Sequence, residues 1–168
     1  MKIGVVILCV MAAVWALWGL GAANVTAWAD IFAGLIALSP LVLATNRRFP
    51  EASAEKARRV TRLVGLATLF EGVVIAAGAQ GLARVGRPDL IVCLVALAVG
   101  LHFFPLARWL PMPKYYLTGV ALIVAAGLGL ILPTVDRIVV VAGSAAAILW
   151  LTALAIILTL PRSEPERA

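Results

Sequence analysis

Charge is scarce in this sequence. Only 13% of its 168 residues are Asp, Glu, Lys or Arg, against roughly 25% in a soluble domain, and 64% are apolar, against about 45 to 50%. An ordinary water-soluble globule is excluded. Histidine and cysteine are scarcer still: His102 stands alone, and Cys9 and Cys93 are far apart. That excludes a CxxC redox pair, a typical zinc site and a bis-histidine haem within the chain. No GxxxxGK[ST] motif occurs, so no phosphate-cradling loop of that kind is present. Ser39 and Ser144 have no histidine nearby in sequence, which makes a serine hydrolase a weak reading. No cofactor and no metal is expected. Strict polar alternation is missing too: residues 63–79 and 138–160 do not place a polar residue at every second position, which argues against a membrane β-barrel.

What is present is apolar runs of membrane-spanning length. A span takes roughly 20 residues, and the sequence offers six candidates, at 3–19, 28–45, 63–81, 90–106, 116–132 and 138–160. The expected fold is therefore all-α, a single transmembrane helical bundle over residues 1–168 with no soluble domain left over. Pro40 interrupts the second run, so a kink is expected near Ser39 and Pro40, with neighbours supplying a donor to the freed carbonyl. Lys2 followed by an apolar run ending in Gly21, Ala22 and Ala23 also resembles a signal peptide. Cleavage there would leave five spans, although the run exceeds the roughly 7 to 15 residues of such a core.

The net charge of +6 and a pI near 10.2 would suggest nucleic acid in a soluble protein. Here the basic residues cluster between apolar runs, and no nucleic-acid partner is expected. With the N-terminus in the cytoplasm, Lys2, Arg47, Arg48, Lys56, Arg58, Arg59, Arg62, Arg108, Lys114, Arg162 and Arg167 fall inside. Only Arg84, Arg87 and Arg137 fall outside. The asymmetry predicts both termini in the cytoplasm. Trp18 and Trp28 at outer ends, and Trp109, Tyr115 and Tyr116 at an inner end, suit interfacial aromatics. The basic cytoplasmic loop 46–62 contains good helix formers and is expected to form an inner-surface helix held by anionic headgroups, with docking of a partner as the alternative.

Small residues recur at four-residue spacing as Ala121, Ala125 and Gly129, a seam through which a homo-oligomer could pack; Gly143 and Ala147 offer a shorter one. Three spans per half would make any internal repeat inverted, as in many transporters, but no convincing self-similarity supports one. Asp30, at the start of the second span, is read as a helix cap in preference to an ion ligand.

Against this background one side chain stands out. Glu71 is the one formally charged residue placed near the middle of a span, where an ionisable group costs roughly 2.5 to 3.5 kcal/mol and usually faces the bundle interior. The third and fourth spans are joined by the short turn 84–89, so they must be antiparallel neighbours. With the turn centred between Gly86 and Arg87, Glu71 and His102 lie equally far from it and hence at one depth. Depth does not fix rotation, and each side chain has a purely structural reading, as a protonated carboxyl bonded to a neighbouring helix or as a satisfied core histidine. If they face each other, the pair is a candidate proton relay or general acid/base. Gly72, Gln80, Gly100, Phe103 and Phe104 are the candidate lining of an adjoining pocket for a small or lipophilic ligand, although the two phenylalanines equally suit lipid contact or core packing.

The segment Gly100, Leu101, His102, Phe103, Phe104, Pro105, Leu106, Ala107 resembles a helix end found in small bacterial multi-pass membrane proteins. The resemblance implies a bacterial inner-membrane protein in which Glu71 and His102 share a site, and carries over no activity. Three functions fit: a small-solute or proton-coupled transporter or channel, an intramembrane acid/base enzyme on a lipophilic substrate, and an accessory or sensory subunit.

Overall fold

The computed structural model describes residues 2–24, 27–45, 47, 53–110 and 112–161. They form six α-helices: α1 (Lys2–Ala22), α2 (Ala27–Ala44), α3 (Ala54–Arg84), α4 (Ile91–Trp109), α5 (Lys114–Leu130) and α6 (Thr134–Leu158), with a 3-10 turn at Pro88–Leu90 leading into α4. No strand is found among the described residues. Four helical stretches are long and apolar enough to cross a membrane: Gly4–Ala22, Arg58–Arg84, Pro88–Trp109 and Asp136–Leu158. The other two are shorter, Ala33–Ala44 and Lys114–Leu130. The 17 residues of α5 reach about 25 Å, less than the roughly 30 Å of hydrocarbon. The expected count of six spans is therefore met by four helices on length. Side chains of Trp28 and Asp30 lie outside the described set, as do Arg48, Arg162 and Arg167.

The core is built on α1 and α6, the pair in most extensive contact. Val5, Leu8, Cys9, Ala12 and Trp15 are buried on one side of α1, following the three-to-four-residue step of a single helical stripe. On α6, Val141, Ala142, Ala145, Leu149, Ala153 and Ile156 do the same. Between helices in lipid, close backbone approach and van der Waals packing replace the hydrophobic drive. Gly19 supplies such an approach: a Cβ there would sit 3.3 Å from that of Ala142.

The α5 seam is used within the chain. Ala125 and Gly129 are buried, and Gly129 lies directly against Val141 of α6 and Cys93 of α4. That contact occupies the Gly129 end of the seam expected to serve a homo-oligomer, while Ala121 at its other end is half-buried. On α2, Pro40 leaves the Ile36 carbonyl without its helical donor. Trp150 of α6 donates its indole N–H to that oxygen at 2.8 Å, and the Ser39 hydroxyl donates to it at 2.7 Å. At the N-terminal end of α5, the Lys114 ammonium donates to the Ala155 carbonyl and the Thr159 hydroxyl of the α6 C-terminus, and Arg47 donates to the Leu160 carbonyl. Cations suit the negative end of a helix. Midway, the hydroxyls of Thr118 and Thr152 meet at 2.7 Å across α5 and α6.

Only α3 stands apart. It packs on α4 and the 3-10 turn, and none of its described side chains is buried. Its 31 residues extend about 46 Å, because residues 54–62, expected as a separate surface helix, continue without a break into the apolar run. Gly86 ends the helix in the left-handed conformation, φ 69°, with its N–H on the Ala83 carbonyl and that of Arg87 on Leu82. Glycine adopts this conformation without strain and so closes the helix end tightly. This turn sets the register of α4 along α3.

Candidate functional site

A single stripe of α3 faces α4: Val60, Val64, Ala67, Glu71, Ile75, Gly78 and Leu82 are all half-buried, at the three-to-four-residue spacing of one helix face. The helices approach closely at Gly78, where a Cβ would meet the Leu94 side chain at 2.6 Å. Two turns toward the N-terminus, the same stripe aims Glu71 at α4. There the Glu71 Oε2 and His102 Nδ1 lie 3.2 Å apart. The imidazole also faces the main-chain carbonyl of Ala67, one turn earlier on α3. Side-chain exposures of 16% for Glu71 and 11% for His102 place the pair inside the α3–α4 seam and away from the core formed by α1 and α6.

At this separation a carboxyl and an imidazole can hold one proton between them in two net-neutral ways, as acid and neutral ring or as carboxylate and imidazolium. The low dielectric disfavours the net-charged arrangements. Moving the proton between the two groups therefore creates no uncompensated net charge.

The five residues expected to line a pocket beside this pair go elsewhere. Gly72 and Gln80 are exposed, and the space around Gly72 is open. Gly100 packs against α5, where a Cβ would lie 2.9 Å from the Gly119 carbonyl. Phe103 is buried edge-on against Tyr115, at 5.4 Å between ring centroids, and Phe104 meets Tyr116 at 5.9 Å. The reason is rotation. A helix turns about 100° per residue, so Gly72 is a quarter turn from Glu71 and Gln80 is on the opposite face. Gly100 and Phe104 likewise turn away from His102 toward α5.

A second polar cluster was hidden in the charge count. Arg137, read as a loop cation, is buried and gathers three elements. Its guanidinium donates to the Gly129 and Leu132 carbonyls, each at 2.8 Å, and pairs with Asp89 of the 3-10 turn. Arg87 contacts the same carboxylate at 3.1 Å. The available signal was a basic residue shortly after a helix C-terminus, with an acidic residue in the neighbouring hairpin turn. This cluster, two guanidinium groups on one carboxylate, ties α5, α6 and the start of α4 together.

Among the described residues no three His, Cys, Asp or Glu side chains gather as a metal would require. Cys9 and Cys93 are buried free thiols. The chain matches no family model, no curated protein and no solved structure.

Proposed function

We propose that the chain is a multi-pass inner-membrane protein of bacterial type, with six spans and both termini in the cytoplasm, that couples proton exchange at Glu71 and His102 to the movement of a small solute. The observation that carries this reading is the 3.2 Å approach of the two groups, far along α3 from either charged end. An ionisable pair at such depth is costly unless used or fully satisfied. Glu71 takes up the proton from one side, the imidazole shares it, and the deprotonated pair attracts the next proton or a cationic solute. Fluorescent pH measurements in proteoliposomes test the proposal: an imposed gradient is expected to drive a flux that Glu71→Gln removes while helical content is kept. Equal flux through the wild type and Glu71→Gln would defeat it.

One observation favours a second reading. Because α3 packs chiefly on α4 among the helices, the flanks of the pair open toward hydrocarbon, a route for a lipophilic substrate to reach an acid/base catalyst. An enzyme of this kind would turn over in detergent, where no gradient exists.

A further inference from the structure

The N-terminal end of α3 carries a feature that the proton chemistry does not use. Residues 54–62 contain Glu55, Lys56, Arg58, Arg59 and Arg62, about two and a half more turns of helix than the apolar run requires. The apolar stretch 63–83 rises about 31 Å, close to the hydrocarbon thickness, so Arg62 falls at its edge and Arg58 and Arg59 in the headgroup zone. These three guanidinium groups are exposed, and none forms an ion pair among the described residues.

The direction of these side chains identifies their partner. At about 100° per residue, Arg58, Arg59 and Arg62 share one arc of roughly 120° with Leu66, Leu69 and Val73, directly opposite the stripe that meets α4. Leu66, Leu69 and Val73 are 56%, 66% and 59% exposed, with no other described helix against them. One face of α3 therefore presents an apolar strip of bilayer depth capped by three cations at the headgroup level. We infer that this face binds an anionic phospholipid, its acyl chains along Leu66, Leu69 and Val73 and its headgroup on Arg58, Arg59 and Arg62. The charge is complementary, planar guanidinium groups suit phosphate, and the acyl strip distinguishes a lipid from a free anion. Glu55, i−3 and i−4 to Arg58 and Arg59, offsets one of the four cations of this segment and leaves a clear positive excess. The inference is independent of whether Glu71 moves protons.

The test uses the full-length chain reconstituted in phosphatidylcholine vesicles containing spin-labelled phosphatidylglycerol or spin-labelled phosphatidylcholine, with the relative association of each measured by electron paramagnetic resonance. The wild type is expected to prefer phosphatidylglycerol. Arg58→Gln/Arg59→Gln/Arg62→Gln should lower that preference about fivefold or more, because each basic residue adds attraction to an anionic surface that Gln lacks. The corresponding Lys triple variant should keep most of it. Where the Gln triple variant fails to insert, single Arg62→Gln and the Lys triple variant carry the comparison, with a partial loss expected for the former alone. An unchanged preference in the Gln variants overturns the inference. So does displacement of the labelled lipid by millimolar inorganic phosphate, which would assign the cations to a soluble anion.

Discussion

Coupling between Glu71 and His102 can be measured without knowing what the protein moves or converts. Glu71→Gln keeps the shape of the side chain and removes its charge; His102→Ala removes the partner. At 3.2 Å, a full ion pair in a medium of effective dielectric near 20 would be attracted by about 5 kcal/mol before desolvation. A neutral hydrogen bond between membrane helices contributes about 0.6 kcal/mol on average and up to roughly 1.7. The pair is partly exposed in its seam, and groups separated in the unfolded membrane state find other partners, so a coupling energy of about 1 to 2 kcal/mol is expected. Because α3 packs chiefly on α4 among the helices, this energy contributes to the docking of one helix. Ile75 and Ala98, equally far from the turn, provide a reporter: a cysteine pair there should crosslink more slowly in either single variant, and a steric-trapping stability measurement in micelles completes the cycle. Additivity within about 0.3 kcal/mol would refute the claim that the two side chains act as a unit.

Replacement of Arg137 by Gln should cost about 2 to 4 kcal/mol, since it weakens donation to two carbonyls and leaves Asp89 with reduced pairing; thermal unfolding in detergent reads the loss, and adding Asp89→Asn should recover part of it. Gly100→Ala should destabilise by about 1 to 3 kcal/mol, because the new methyl group meets the Gly119 backbone and Ile123, whereas Gly72→Ala faces open space and should be neutral or slightly stabilising through its helix propensity. Pro40→Ala restores the N–H that the Ile36 carbonyl lacks, so Trp150→Phe, expected to cost about 1 kcal/mol in the wild type, should cost less in that background. Maleimide labelling of Cys9 and Cys93 should be slow in the folded protein and fast after denaturation, as both thiols are buried.

The helix positions and the level of Glu71 with His102 were legible because they follow from counting: apolar length fixes the elements, and the short turn 84–89 fixes the register of one hairpin. Facing was not legible by counting depth alone. Phe103 and Phe104 adjoin His102 in sequence but rotate onto Tyr115 and Tyr116, and Gln80 lies opposite Glu71. Nor did the sequence reveal that α3 stands outside the bundle. Lipid and protein interior are both apolar, so Leu69, exposed on α3, and Leu149, buried on α6, look alike in composition. Arg137 misled for a related reason: as a charge it counts toward orientation, yet its guanidinium is enclosed by the carbonyls of a helix end.

The bond from Trp150 to Ile36 has a consequence for how the chain assembles. A ribosome completes α2 long before α6 exists, so the carbonyl released by Pro40 has Ser39 as its local donor while its second donor is not yet synthesised. The same delay applies to α1, whose principal packing surface is also on α6. The hairpin of α3 and α4 can close as soon as its own turn emerges, bringing Glu71 to His102 early. The α1–α2 contact and the α3–α4 hairpin with its polar pair are thus complete in the chain before α6, on which α1 and α2 also pack, has been synthesised.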